Sequence, residues 1–147
     1  GAERVSMTVP SRLKLQFVTP ERAIAFEDVD EVQLPGKVGY FGVLPGHAPL
    51  LAVLNTGEMW YRRGNQRTYA FLDGGFAEVL PDQVSILAQV AERADQIDSQ
   101  RAEAAKRRAE ELLARPQVMD VDFERARIAL LRALVRLQVS QHSKPRG

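Results

Sequence analysis

Apart from the two terminal residues, every glycine of this 147-residue chain lies between Gly36 and Gly75, and none occurs from Phe76 to Arg146. Tight hairpin reversals lean on glycine's access to positive φ, whereas glycine in a helix interior costs stability. A chain punctuated this way cannot be one sheet protein throughout. The aromatics agree: Trp60, Tyr40, Tyr61, Tyr69 and every phenylalanine except Phe123 precede residue 80. Aromatics favour strands, and the Ala/Leu/Glu/Arg-rich remainder favours helices. The boundary falls near Ala91 to Asp95.

In the first half, apolar and polar residues alternate with period two, as in half-buried strands. Leu13, Leu15 and Phe17 face one side, Lys14 and Gln16 the other. Further runs cover Glu31 to Leu34, Leu50 to Leu54, Glu58 to Arg62, Arg67 to Leu72, Phe76 to Leu80 and Val84 to Ala88. Turn signals separate them: Leu34-Pro35-Gly36, Leu44-Pro45-Gly46, Asn55-Thr56-Gly57, Arg63-Gly64-Asn65, Asp73-Gly74-Gly75 and Leu80-Pro81-Asp82. Such spacing predicts an all-β antiparallel sandwich or flattened barrel over residues 11–93.

Residues 94–140 predict an antiparallel α-helical hairpin. Asp95 or Asp98 caps a first helix of about 20 residues that Pro116 stops. Asp120 or Asp122 caps a second, ending near Val139, with an apolar stripe of Phe123, Ile128, Leu131, Leu134 and Leu137. The first helix offers Ala102, Ala105 and Ala109 with Leu112 and Leu113, so the two can approach closely over a thin interface. Residues 1–10 and 141–147 are expected to be flexible ends, with Gly1 to Ser6 an expression remnant, Met7 the natural start, and no apolar stretch of a secretory signal.

Composition narrows the chemistry. With 45% apolar and 27% charged residues and a net charge of +1, the chain has a soluble protein's balance and no general pull towards polyanions. It has no cysteine, so disulfides, thiolate zinc sites and cysteine nucleophiles are excluded. No run approaches the roughly 18 apolar residues of a membrane span, so no direct insertion is expected and a membrane link would come through a partner. His47 and His142 have no companion at metal-ligand spacing, no serine sits in a nucleophile elbow, and no phosphate-binding glycine loop precedes a helix. Catalytic and metal-ligating residues are therefore none.

Two features carry interest. Val38 to Leu54 is dense in glycine and proline, which reads either as a rigid connection or as a stiff docking surface with Tyr40, Phe41 and Leu44 as its apolar contacts. Asp98, Arg101 and Arg108 share one face of the first helix, and Arg132 and Arg136 are four apart on the second. These arginines form either a solvated face paired with Glu103, Glu110 and Glu111, or a cluster converging on one anion. After Glu124 there is no acid, while Arg125, Arg127, Arg132, Arg136, Lys144 and Arg146 give the end a local charge of +6. That charge suits either the helix dipole or an acidic partner. Phe123, Glu124 and Ile128 at the helix start do not suit base reading, so nucleic acid is not expected and an acidic protein surface is.

Taken together, Gly39 to Leu50 (GYFGVLPGHAPL), Gly74 to Val79 (GGFAEV), the opening Leu13 to Val18 with Thr19-Pro20-Glu21, and Ile97 to Ala102 (IDSQRA) resemble, in order, the epsilon-type subunits of F-type ATP synthases from bacteria and chloroplasts. The resemblance spans residues 11 to 140. It implies a sandwich of about ten strands that binds the central-stalk gamma subunit and the membrane c-ring. The ring contact would be the loop with Tyr40, Phe41, Leu44 and His47, where Tyr40 replaces an acidic residue of other members. The hairpin would fold against the sandwich, or extend so that Arg125, Arg127, Arg132 and Arg136 reach the catalytic beta and alpha subunits and block hydrolysis. The resemblance also implies ATP, alone or with Mg, as a regulatory ligand of Glu92, Ile97, Asp98, Arg101, Ala102, Arg108, Arg132 and Arg136. No cofactor is required. The implied place is the cytoplasmic face of a bacterial inner membrane, or a thylakoid's stromal face, as a peripheral rotor subunit. A purely structural rotor subunit and a stand-alone ATP sensor are the rival readings.

Overall fold

The computed structural model describes residues 9–143; the expectations for Gly1 to Ser6, Met7, Lys144 and Arg146 lie outside them. Eight strands come first: β1 Leu13–Val18, β2 Ala23–Val29, β3 Glu31–Gly36, β4 Gly39–Val43, β5 Leu50–Leu54, β6 Gly57–Arg63, β7 Gln66–Leu80 and β8 Gln83–Arg93. A 3-10 turn at Ala94–Gln96 leads into helices α1 Ser99–Leu113 and α2 Asp120–Ser140.

The period-two reading holds in β1, where Leu13, Leu15 and Phe17 are buried and Lys14 and Gln16 exposed. The strands run in the order β2-β1-β8-β7-β5-β3-β4, with β6 between β3 and β7. The 15 residues of β7 make the sheet double over. Its first arm pairs with β6, Gly57 opposite Leu72, and its second with β5, Leu54 opposite Gly75. The strand β8 follows β7 from Leu80 back to Ala70, so both strands serve both layers. Eight continuous strands thus occupy about ten ladder positions of a sandwich. Leu15, Phe17, Val32, Leu34, Met59, Leu72, Val79 and Ile86 fill the space between the layers.

Three strand-level expectations change, and one strand was not foreseen. Asp73-Gly74-Gly75 is not a turn between two strands but a bend inside β7, allowed by φ of +73° at Gly74 and +131° at Gly75. The sheet is mixed rather than wholly antiparallel, because β1 runs parallel to β8. Pro35 and Gly36 lie within β3, and Gly39 to Val43, expected as loop, is the strand β4 opposite it. β2 escapes the alternating pattern because Phe26 points outward between buried Ala25 and charged Glu27.

In α1, Asp98 is the cap, its Oδ1 accepting from the Arg101 N–H at 3.0 Å. The helix is 15 residues long, shorter than expected, because Ala94 to Gln96 form their own turn. Asp120 and Asp122 sit in the first turn of α2 rather than capping it, which Met119 does without a side-chain bond. The helices meet through Ala102 and Ala109 on one and Ala126 and Ala133 on the other, all buried. This alanine seam displaces the predicted apolar stripe: Ile128, Leu131 and Leu134 are 37%, 42% and 45% exposed, and Phe123 is exposed as well. Seven-residue spacing of small side chains permits the closest approach of the axes, so bulky residues turn to the flanks. The end of α2 seats on the sandwich, where Val139 is buried with Phe71 and Ala94 beside Tyr69, Ile97 and Val135. The tail, expected to be flexible from residue 141, continues in contact with the sandwich. Gln141–Ser143 form a 3-10 turn, and the His142 ring stacks on Tyr69 with centroids 3.5 Å apart.

A side chain at Gly75 would strike the Leu87 carbonyl and come within 2.8 Å of the Ala88 Cα. Gly64, in the β6–β7 turn at φ +58°, faces open space. Urea unfolding should therefore show Gly75→Ala losing about 3 kcal/mol and Gly64→Ala only about 1 kcal/mol. Equal losses would refute the close packing of β7 on β8.

Candidate functional site

A cavity of about 300 Å³ opens between the hairpin and the sandwich. The helix α1 contributes Asp98, Arg101, Ala102, Ala105 and Arg108 to its wall, α2 contributes Ala129, Arg132, Ala133 and Arg136, and β8 contributes Glu92. Spacings of three and four put each helix's residues on one face. The short side chains of Ala105 and Ala129 leave the space that the arginines surround. Seven of the eight residues expected to meet a nucleotide are therefore together. The eighth, Ile97, instead packs among the apolar residues beneath the end of α2.

The wall carries four guanidinium groups, of Arg101, Arg108, Arg132 and Arg136, against the carboxylates of Glu92 and Asp98. Arg136 donates from Nε to Glu92 Oε1 at 2.7 Å, and its guanidinium lies over the Phe71 ring at 4.3 Å from the centroid. Arg132 places Nε 2.7 Å from Oδ2 of Asp73 on β7. Both contacts use Nε, leaving the terminal nitrogens of each fork for other acceptors. Arg101 and Arg108 are exposed and form no ion pair among the described residues. The excess of positive charge and the forked donors suit a multiply charged anion such as a phosphate chain.

The four arginines expected as a basic face for partner proteins are not displayed together. Arg132 and Arg136 turn towards the sandwich. Arg127 pairs with Glu124 at 3.0 Å, a bond that holds the Glu124 carboxyl below its usual range and raises Arg127. Arg125 remains exposed. On the sandwich, Tyr40 and Phe41 belong to β4 and Leu44 and His47 to the connection after it. Tyr40 and Leu44 expose apolar surface. Phe41 packs on the core instead, and His47 is half-buried, its Nδ1 2.7 Å from the Ala48 carbonyl.

Sequence reasoning missed three residues at the hairpin–sandwich seam: Asp73, Phe71 and Glu58. Glu58 accepts from Gln138 at 3.5 Å and lies 3.1 Å from His142 Nε2. Asp73 stood in the sequence only as part of a turn signal, and no spacing rule joins a strand residue to a helix residue so far along the chain.

Comparison with protein families matches residues 12–94 to the ATP synthase Delta/Epsilon chain beta-sandwich domain. Residues 95–141 match the ATP synthase Delta/Epsilon chain long alpha-helix domain. The ATP synthase epsilon chain of Syntrophobacter fumaroxidans is 49% identical over 130 residues, 88% of this chain and 96% of that one. The ATP synthase epsilon chain of Solibacter usitatus is 47% identical over 129 residues, 88% of this chain and 96% of that one. Among solved structures, a chain of the Euglena gracilis mitochondrial ATP synthase (OSCP/F1/c-ring) superposes with a TM-score of 0.80 at 23% identity, covering 93% of this chain and 86% of that one. A chain of the Tetrahymena thermophila central stalk/c-ring assembly gives 0.55 at 13% identity, covering 94% of this chain and 100% of that one. At these identities the two structural likenesses are likenesses of fold.

Arg136 is the charged link from α2 to β8. Arg136→Ala should lower the local opening free energy of α2 between Ala133 and Val139 by about 1–2 kcal/mol, with the sandwich core unchanged. Native-state hydrogen exchange reads both regions, and unchanged protection in α2 would show that the Glu92 contact does not hold the helix.

Proposed function

This chain belongs to the ATP synthase Delta/Epsilon family, and we propose that, within the central stalk of an F-type ATP synthase, its hairpin is a brake on ATP hydrolysis released by ATP bound in the hairpin cavity. It is a non-catalytic subunit: the sandwich is the attachment body and the hairpin the regulatory part. The observation that carries the reading is the meeting of Arg101 and Arg108 from α1 with Arg132 and Arg136 from α2 in one cavity against the sandwich. Two of those arginines reach the cavity only while α2 lies down. An anion bound there therefore stabilises the docked hairpin, by RT ln(1 + [L]/Kd), or about 2.7 kcal/mol at a hundredfold excess. The alanine seam is thin enough for an undocked state to compete.

Undocking would free Arg132 and Arg136 from Asp73 and Glu92 and add them to Arg125 and Arg127. The resulting basic helix suits an acidic surface on the catalytic beta and alpha subunits. The exposed apolar residues of the sandwich, Tyr40 in β4 with Leu44 after it, and Leu51, Val53, Phe76 and Leu87 on its outer face, suit the c-ring and the gamma subunit respectively. No helix among the described residues is long and apolar enough to cross a membrane. A peripheral position at the cytoplasmic face of a bacterial membrane, held through those partners, fits this arrangement.

A second reading, a rotor subunit that does not sense ATP, draws on the same geometry. Glu92 and Asp73 already meet the charge of Arg136 and Arg132.

Calorimetric titration of the whole chain with ATP separates the two. Saturable binding that weakens about thirtyfold or more in Arg101→Ala and in Arg132→Ala supports the ATP-gated brake. No heat of binding at millimolar ATP would leave the non-sensing rotor subunit. Truncation after Arg93 in the reassembled ATPase should raise hydrolysis, and an unchanged rate would remove the brake.

A further inference from the structure

Asp73 is placed differently from every other acid near the cavity. It lies on β7 at the start of the bend, its side chain 14% exposed, and it does not line the cavity. Its Oδ1 accepts a hydrogen bond from the Thr56 hydroxyl on the β5–β6 connection, so the carboxylate is fixed to the sandwich on that side. Its other oxygen meets Arg132 Nε at 2.7 Å. Arg132 is 46% exposed, lines the cavity and stands on α2. One guanidinium on the movable element thus touches a fixed carboxylate on one side and the anion-suited space on the other.

We propose that Asp73 is the affinity-setting residue of the cavity: it holds Arg132, and with it α2, on the sandwich when the cavity is empty, and it lowers the cavity's affinity for a nucleotide's phosphates. The second half rests on the nucleotide reading above; the first does not. The carboxylate on Nε partly neutralises the guanidinium whose terminal nitrogens a phosphate would meet, and a fixed negative charge beside the bound polyanion also repels it. Removing the charge alone would leave the alanine seam, buried Val139 and the Arg136–Glu92 bond to keep the hairpin docked. The loss of repulsion therefore outweighs the loss of holding, and ATP affinity rises.

Asp73→Asn is the appropriate variant, because the amide oxygen still accepts from Thr56 and the volume hardly changes. Calorimetric titration of the full chain with ATP at fixed ionic strength should show it binding about five- to tenfold more tightly than the parent. Hydrogen exchange without ATP should show α2 amides from Arg132 to Val139 exchanging faster. A variant damaged only in its packing would bind more weakly, so the gain in affinity is diagnostic. If the parent binds ATP and Asp73→Asn binds it equally or less well, the proposal is overturned. If neither binds, the nucleotide reading and the affinity-setting role fall together. Exchange then decides the holding role: faster exchange in α2 upholds it, and unchanged exchange overturns it as well.

Discussion

The near-contact between Gly75 and the Leu87–Ala88 backbone is the constraint on which the rest of this molecule hangs. It lets β7 bend at Asp73 to Gly75 while keeping β8 in register along both arms. Because the bend is built from glycines rather than an ordinary turn, β7 and β8 keep one register on either side of it and both layers share two strands. The same bend points Asp73 at the helix docked above it, and β8 carries Glu92 to the cavity wall one residue after buried Ala91. The geometry of the anion-suited cavity is thus set by sheet curvature as much as by the helices.

The hairpin is joined to the sandwich by small attachments of unlike kinds. Val139 supplies apolar burial at the far end of α2, Arg136 and Arg132 supply ion pairs along it, and His142 stacks on Tyr69 beyond it. None is a large core. Apolar area of this kind is hard to lose reversibly when extensive, and simple to lose when confined to one valine and its neighbours. The exposed Ile128, Leu131 and Leu134 say the same: α2 keeps its bulky residues out of its contact with α1 and spends alanines there. An element meant only to thicken the core would have turned the other way.

Much of this was legible from residues. The period-two pattern located β1, the turn residues located most reversals, and Asp98 was one of two candidate caps for the first helix. Asp98, Arg101, Arg108, Arg132 and Arg136, grouped by helical spacing, line one cavity with Glu92 and Ala102, which the family resemblance added, whereas Ile97 does not. The failures share a cause. A glycine reads as a break, so β4 and the middle of β7 were hidden although both are paired strands. Periodicity tells which residues of α2 share a face, but which face is buried depends on the partner, here an alanine helix that rewards closeness over bulk. Asp73 was invisible for the deeper reason that its role exists only where β7 and α2 cross.

The parallel pairing of β1 with β8 also fixes the order in which the chain can assemble. Leu15 lies beside Val84, so the first strand has its inner neighbour only after nearly the whole sandwich has been made. During synthesis β1 and β2 can pair with each other early, but their buried faces stay uncovered until β8 arrives. The hairpin emerges after β8, and it meets a finished sheet. Its docking is a separate, late event in the chain's own history, and undoing it would not require reopening the body beneath.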